Sequence, residues 1–467
     1  MLLLRNLRPG RPGGRHGIAS SESRDPIGHA VAALSRLAQS DLLDRLGLRR
    51  QAERAVFTVT RGGFRTATAA GRTFARAGRR DSPGRRAAHA TTRGVFDLTP
   101  TEDEQMLVDV VTELATEVLR PAAADADTAC AAPEEVLAAG DEIGLPLLGV
   151  PESLGGISDE RSVVAGVLVA EALAKGDLGL AVATLAPGAV ATAIATWGSD
   201  EQQQTYLPAF TGEPSSGGSV AAAALALTEP RPLFDALDPR TTARRDGDDL
   251  VLDGVKSLVP RGADAELFVV GAALDGHPVL VIVESGAAGL SVEADPGMGV
   301  RAASLTTLTL DGVRVPASNI LGAADGATYS QDAYRQCVRL SRLAWCALSV
   351  GVGQAVLDHV TPYVKERTAF GEPIAHRQSV AFMVADIAIE LQSMRLLTWK
   401  AASRAAAGQD FSREVALARK LCADKGMRIG LDGVQLLGGH GFVKEHPVER
   451  WYRDLRAISI MEGGVLV

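Results

Sequence analysis

Cysteine is scarce: the chain has four in 467 residues, Cys130, Cys337, Cys346 and Cys422, with no C-x-x-C pair among them. That spacing excludes a disulfide framework and fits reduced, mostly buried thiols. Eight histidines are equally dispersed. His440 and His446 share a glycine-rich turn but lack cysteine partners or a ligand spacing, so no metal is expected. Aromatics amount to only 4%, while Ala and Gly abound, a composition suited to helices packed closely through small side chains. No uninterrupted apolar run reaches the ~20 residues of a membrane span. Residues 338–352 are the most apolar helical stretch, but Arg339 and Arg342 interrupt them, and they read as a core helix. Overall basic charge is missing too. A net charge of −8 and a pI near 5.6 exclude a nucleic-acid binder by bulk electrostatics.

What is present divides into four parts. At roughly 100–200 residues per domain, the length allows two to four domains. Residues 1–95 form a basic extension with no acid before Glu22. It superficially resembles a mitochondrial transit peptide, but a solvated tail on a bacterial, cytoplasmic chain is the preferred reading. Residues 28–50 within it have amphipathic helical spacing. From Phe96-Asp97-Leu98-Thr99-Pro100, where Thr99 or Thr101 can cap a helix, residues 96–220 read as an all-α domain. Residues 221–330 carry short β-type runs at 250–252, 267–270, 279–283, 290–292 and 306–315, separated by Gly and Asp turns. They read as an antiparallel β domain. Residues 331–467 return to long helical patterns with short connections, as in an antiparallel four-helix-type bundle. The fold class is therefore α+β.

The last part carries the chemistry. Arg367 follows a helical run and precedes Phe370 and Gly371; its guanidinium offers a fork of donors to a phosphate. Gly438-Gly439 allows backbone N–H groups to approach a ligand closely. Glu462 follows Ile458, Ile460 and Met461 and precedes two glycines. A carboxylate in apolar surroundings has a raised pKa and becomes a better base. Gly351-Val352-Gly353 suggests a dinucleotide fingerprint, but it lacks the third glycine and a preceding strand. Close helix packing explains it better.

Taken in order, Arg367-Thr368-Ala369-Phe370-Gly371 with Gln378, then Gln435-Leu436-Leu437-Gly438-Gly439, and then Met461-Glu462-Gly463-Gly464 resemble the C-terminal domain of acyl-CoA dehydrogenases. The resemblance extends from about Phe96 to the end. It implies FAD, with Leu227, Thr228, Arg367, Phe370, Gln378, Gln435, Gly438 and Gly439 as cofactor-binding residues. It also implies Glu462 as the catalytic base that removes the α-proton of an acyl-CoA, Arg342 and Gly463 at the substrate, and flavin N5 as hydride acceptor. Electron-transfer flavoprotein is the implied electron acceptor, and a homodimer or tetramer the implied assembly, each FAD bridging two subunits. The chain departs from the family pattern on the flavin-ring side. Thr228-Glu229-Pro230 is followed by Arg231, Pro232, Leu233 and Phe234 instead of small residues. Leu258 and Pro260 replace a Trp and a hydroxyl residue, Ala303 and Leu305 replace small polar residues, and Gly464 replaces a Thr. Two expectations follow: an α,β-dehydrogenating flavoenzyme, or a half-site subunit of a heteromeric dehydrogenase that has lost its own flavin-ring site.

Overall fold

The computed structural model describes residues 100–157, 161–211, 220–322 and 327–465. The basic extension at 1–95, with its amphipathic stretch at 28–50, lies outside them. The first helix among the described residues, α1 (Glu102–Leu114), starts at a capping box. Glu104 N donates to Thr101 Oγ1 at 3.2 Å and Thr101 N donates to Glu104 Oε2 at 3.0 Å, which satisfies two donors that a helix start leaves open. A π-turn at Ala115–Leu119 leads into α2 (Arg120–Ala129), followed by α3 (Glu134–Glu142), α4 (Val163–Gly176), α5 (Leu178–Trp197) and α6 (Asp200–Tyr206).

Seven strands follow: β1 (Ala223–Ala226), β2 (Thr242–Asp246), β3 (Asp249–Val259), β4 (Leu267–Leu274), β5 (His277–Glu284), β6 (Leu290–Ala294) and β7 (Thr306–Pro316). They form one sheet in the order β1-β4-β2-β3-β7-β6, with β5 on the other side of β4. The pairing corrects one expectation. Hairpin neighbours are antiparallel, but β1 and β2 both lie parallel to β4, because long connections let the chain return in the same direction. Alternate residues of β4 and β5 face opposite ways. Leu267, Val269, Leu280 and Ile282 join the helices, whereas Phe268, Val270, Val281 and Val283 meet Leu250, Leu252, Leu308 and Leu310 of β3 and β7 in a second core.

Three long helices close the chain: α7 (Ala327–Glu366), α8 (Gln378–Ala406) and α9 (Ser412–Leu437). A two-stranded ribbon, β8 (Thr368–Ala369) with β9 (Glu372–Pro373), links the first two, and the short α10 (Val448–Leu455) packs on α9. α4 packs along α7 and touches α8, so the helices before and after the sheet share one core. The Glu171 carboxylate ties α4 to α8 by accepting from Arg395 Nε at 2.7 Å and Trp399 Nε1 at 3.1 Å. Asp177 caps α5 and accepts from Arg450 Nε at 3.0 Å in the interior. Among the described residues two helices, α5 and the 331–366 part of α7, are long and apolar enough to cross a membrane, and most of the apolar window of each, 72% and 67%, is buried inside the protein. They are core helices.

Gly351 explains how α4 and α7 approach. A Cβ there would lie 2.1 Å from the Glu171 carbonyl oxygen, whereas at Gly353 it would meet only the tip of Leu391 at 3.0 Å. We expect Gly351→Ala to lower unfolding free energy by about 1–3 kcal/mol through overpacking, and Gly353→Ala to cost clearly less. Urea denaturation of the two variants checks this; equal midpoints would show that the helices are not in contact at Gly351.

Candidate active site

Glu462 lies past α10, in a turn packed between α7, α9 and the β1–β2 connection. It is 6% exposed and adopts a left-handed conformation, φ +56°, which costs a non-glycine residue free energy unless its surroundings fix it. Two arginines fix it. From α7, Arg342 donates through Nε (3.1 Å) and Nη2 (2.9 Å) to the Glu462 carbonyl. From α9, Arg419 donates to the carbonyls of Glu462 (3.1 Å), Met461 (2.6 Å) and Gly463. Gly463, φ +95°, completes the turn where a Cβ would meet the Phe234 carbonyl at 2.7 Å.

The side chain of Glu462 takes no part in that clamp. Oε1 accepts from Ser341 Oγ at 2.9 Å, and Oε2 is buried with no hydrogen-bond partner. Burial pushes this carboxyl above the ordinary range, more strongly than the Ser341 hydroxyl, the Arg419 and Arg342 charges and the nearby Trp345 indole pull it down. The Glu462 N–H donates to Thr228 Oγ1 at 3.2 Å.

Thr228 is itself anchored. The Glu229 carboxylate accepts from Arg240 N, Thr241 N and Oγ1, and the fully buried Lys256 Nζ at 2.9 Å. Burial drives the Lys256 ammonium down to about 8 against the attraction of Glu229. Beyond Lys256 the β3–β7 register shifts, and Leu258 takes φ +55° within that bulge. Leu258 and Pro260 therefore line the cavity beside Glu462, about 110 Å³, with Leu227, Thr228, Trp345 and Met461.

A second cleft of about 510 Å³ assembles Arg367, Phe370, Gln435, Gly438 and Gly439 with Arg377 and His440. Phe370 is 94% exposed, and Arg377 stacks on its ring at 5.0 Å. The donors, the glycine turn and the volume fit the adenine and phosphate end of a dinucleotide, within the roughly 300–1,000 Å³ of ligand pockets. The space beside Glu462 is smaller, about 110 Å³, with Leu258 and Pro260 on its wall.

The structure thus brings the expected residues together in two groups with no lining residue in common. Three expected residues stand differently. Gln378 is exposed at the start of α8 and does not line the cleft. Arg342 and Gly463, expected at the substrate, do not line the cavity; they hold the backbone of Glu462. Sequence reasoning missed Ser341 and Arg419. Arg419 had a signal, an arginine among Val415, Ala418, Cys422 and Ala423 on the buried face of α9.

Comparison with known proteins agrees with this architecture. The models of the N-terminal, middle and C-terminal domains of acyl-CoA dehydrogenases match residues 101–213, 224–313 and 332–464. A cyclohex-1-ene-1-carbonyl-CoA dehydrogenase of Geobacter metallireducens is 34% identical over 375 residues, 78% of this chain and 95% of that protein. The mitochondrial short-chain specific acyl-CoA dehydrogenase of Rattus norvegicus is 31% identical, over 78% of this chain and 87% of its own length. Among solved structures, butyryl-CoA dehydrogenase from Megasphaera elsdenii superposes with a TM-score of 0.70 at 27% identity, covering 79% of this chain and 97% of that one. The chain belongs to the acyl-CoA dehydrogenase family of flavoprotein oxidoreductases.

Proposed function

We propose that this chain takes an acyl-CoA thioester and removes its α-proton with Glu462, the opening half of an α,β-dehydrogenation. One observation carries the reading: a buried carboxylate of raised pKa, with one oxygen unpartnered, on the wall of an otherwise apolar cavity. The Glu462 N–H, held by Thr228 at the long end of hydrogen bonding, is the donor that would polarise the thioester carbonyl as negative charge develops on it. The apolar walls exclude water and keep the base strong. Electron-transfer flavoprotein as the final acceptor accords with the family. Phe382, Ile389 and Leu396 on α8 and Leu417 and Leu431 on α9 are exposed, which supports association with a second chain.

A second reading is favoured by Leu258, Pro260 and the 110 Å³ cavity. In it the chain lends its Arg367 cleft to a flavin whose ring lies in a different subunit. A visible spectrum separates the two. The first reading expects flavin absorbance, bleached by acyl-CoA, from the chain purified alone. The second expects it only after co-expression with another acyl-CoA dehydrogenase subunit.

Glu462→Gln should slow exchange of the acyl-CoA α-protons into deuterium oxide by about 10²–10⁴-fold, followed by NMR; unchanged exchange would remove Glu462 from its role.

In the unsubstituted protein, exchange should rise with pH as Glu462 ionises, along a limb above the ordinary carboxylate range. Ser341→Ala removes a hydrogen bond that favours the ionised form, so the limb should move to still higher pH. A shift to lower pH would contradict the geometry at Oε1.

A further inference from the structure

Beside the Glu462 cavity lies a second hollow of about 220 Å³ that shares Leu185, Ala189, Leu225, Ser341 and Ala344 with it. It runs between α4, α5 and α7, and its walls are apolar: Leu148, Val167, Ala170, Leu185, Ala189 and Trp197 among them. Ser341 borders both spaces while its hydroxyl bonds the Glu462 carboxylate. A carbon chain whose thioester sits at Glu462 has this hollow as its continuation.

At its far end the lining is charged. Arg161, immediately before the Ser162 cap of α4, is partly buried and donates through Nη1 to Thr196 Oγ1 at 3.0 Å. Among the described residues no carboxylate pairs with it. Glu104, which accepts the neighbouring Ser162 hydroxyl at 2.8 Å, makes no ion pair with it. Burial depresses the guanidinium, and no acid among the described residues opposes it. A guanidinium that faces an apolar hollow and has no counter-charge among the described residues is costly, and its remaining N–H groups form the planar fork that matches a carboxylate.

Building on the acyl-thioester reading above, we propose that the acyl group accepted by this site carries a carboxylate at its far end, bound by Arg161. The step from Ala186, beside Glu462, to Thr196 is about 15 Å along α5 at roughly 1.5 Å per residue. The acyl group is therefore long, a chain or ring system of that reach, and not a short diacid.

The test is calorimetric and needs no turnover. The full-length protein, in the complex in which it is purified, is titrated with dodecyl-CoA thioether and with its ω-carboxy counterpart. The carboxylate should tighten binding by about 10- to 100-fold, the value of hydrogen bonds to a charged group. Arg161→Gln should erase the difference, and Arg161→Lys should restore part of it. Equal dissociation constants in the unsubstituted protein, or a preference that survives Arg161→Gln, overturn this inference and leave the acyl-thioester reading standing. If neither thioether binds, both fall together.

Discussion

The site depends on how two arginines hold one strained turn. Arg342 and Arg419 bind the carbonyls of residues 461–463, and that grip keeps Glu462 in a conformation that costs about 1–3 kcal/mol when unsupported. Had the same guanidinium groups closed on the carboxylate, they would have stabilised its ionised form and made a weak base. By taking the backbone oxygens they fix the turn without bonding the carboxylate, on which their charges act only at longer range. The carboxylate keeps a single hydroxyl donor and an apolar wall, and burial dominates its titration.

The clamp in turn needs a rigid frame. Arg342 comes from α7 and Arg419 from α9, and both helices share a core with α4 and α5. Gly351 lets α4 and α7 approach closely, while Glu171 ties α4 to Arg395 of α8 and Asp177, at the start of α5, holds Arg450 of α10 in the interior. On the sheet side, the Glu229–Lys256 pair locks the Thr228 backbone opposite Glu462. The helices and the sheet thus converge on one turn, each by a different kind of interaction.

Much of this was legible in the sequence where local pattern and global role coincide. The three long helices follow from their apolar periodicity. Strands β3 to β7 follow from their β-branched runs, and Glu462 from its apolar and glycine neighbours. Strands β1 and β2 were not legible. Ala-Ala-Leu-Ala and Thr-Ala-Arg-Arg-Asp have little intrinsic preference for extended structure; β4 pairs with the first, and β3 with the whole length of the second. Arg419 and Ser341 escaped because their partners lie 43 and 121 residues away in the chain, a juxtaposition that only tertiary packing creates. Leu258 and Pro260 were visible as substitutions, but their effect on cavity size depended on the bulge in β3.

The hollow that continues from Glu462 is walled largely by α4, α5 and α7, with Leu148, Gly149 and Leu225 of β1 closing it, and Gly166, Ala170, Gly188, Ala189 and Ala193 are small residues in its lining. Its depth is therefore graduated in side-chain volume. A methyl group added at Gly166, where nothing lies within 4 Å, narrows the space, whereas one at Gly188 meets the Leu145 carbonyl oxygen at 3.0 Å and presses on the backbone. Under the proposed acyl-thioester reading, single substitutions along this wall would set the acyl length admitted without touching the Glu462 turn.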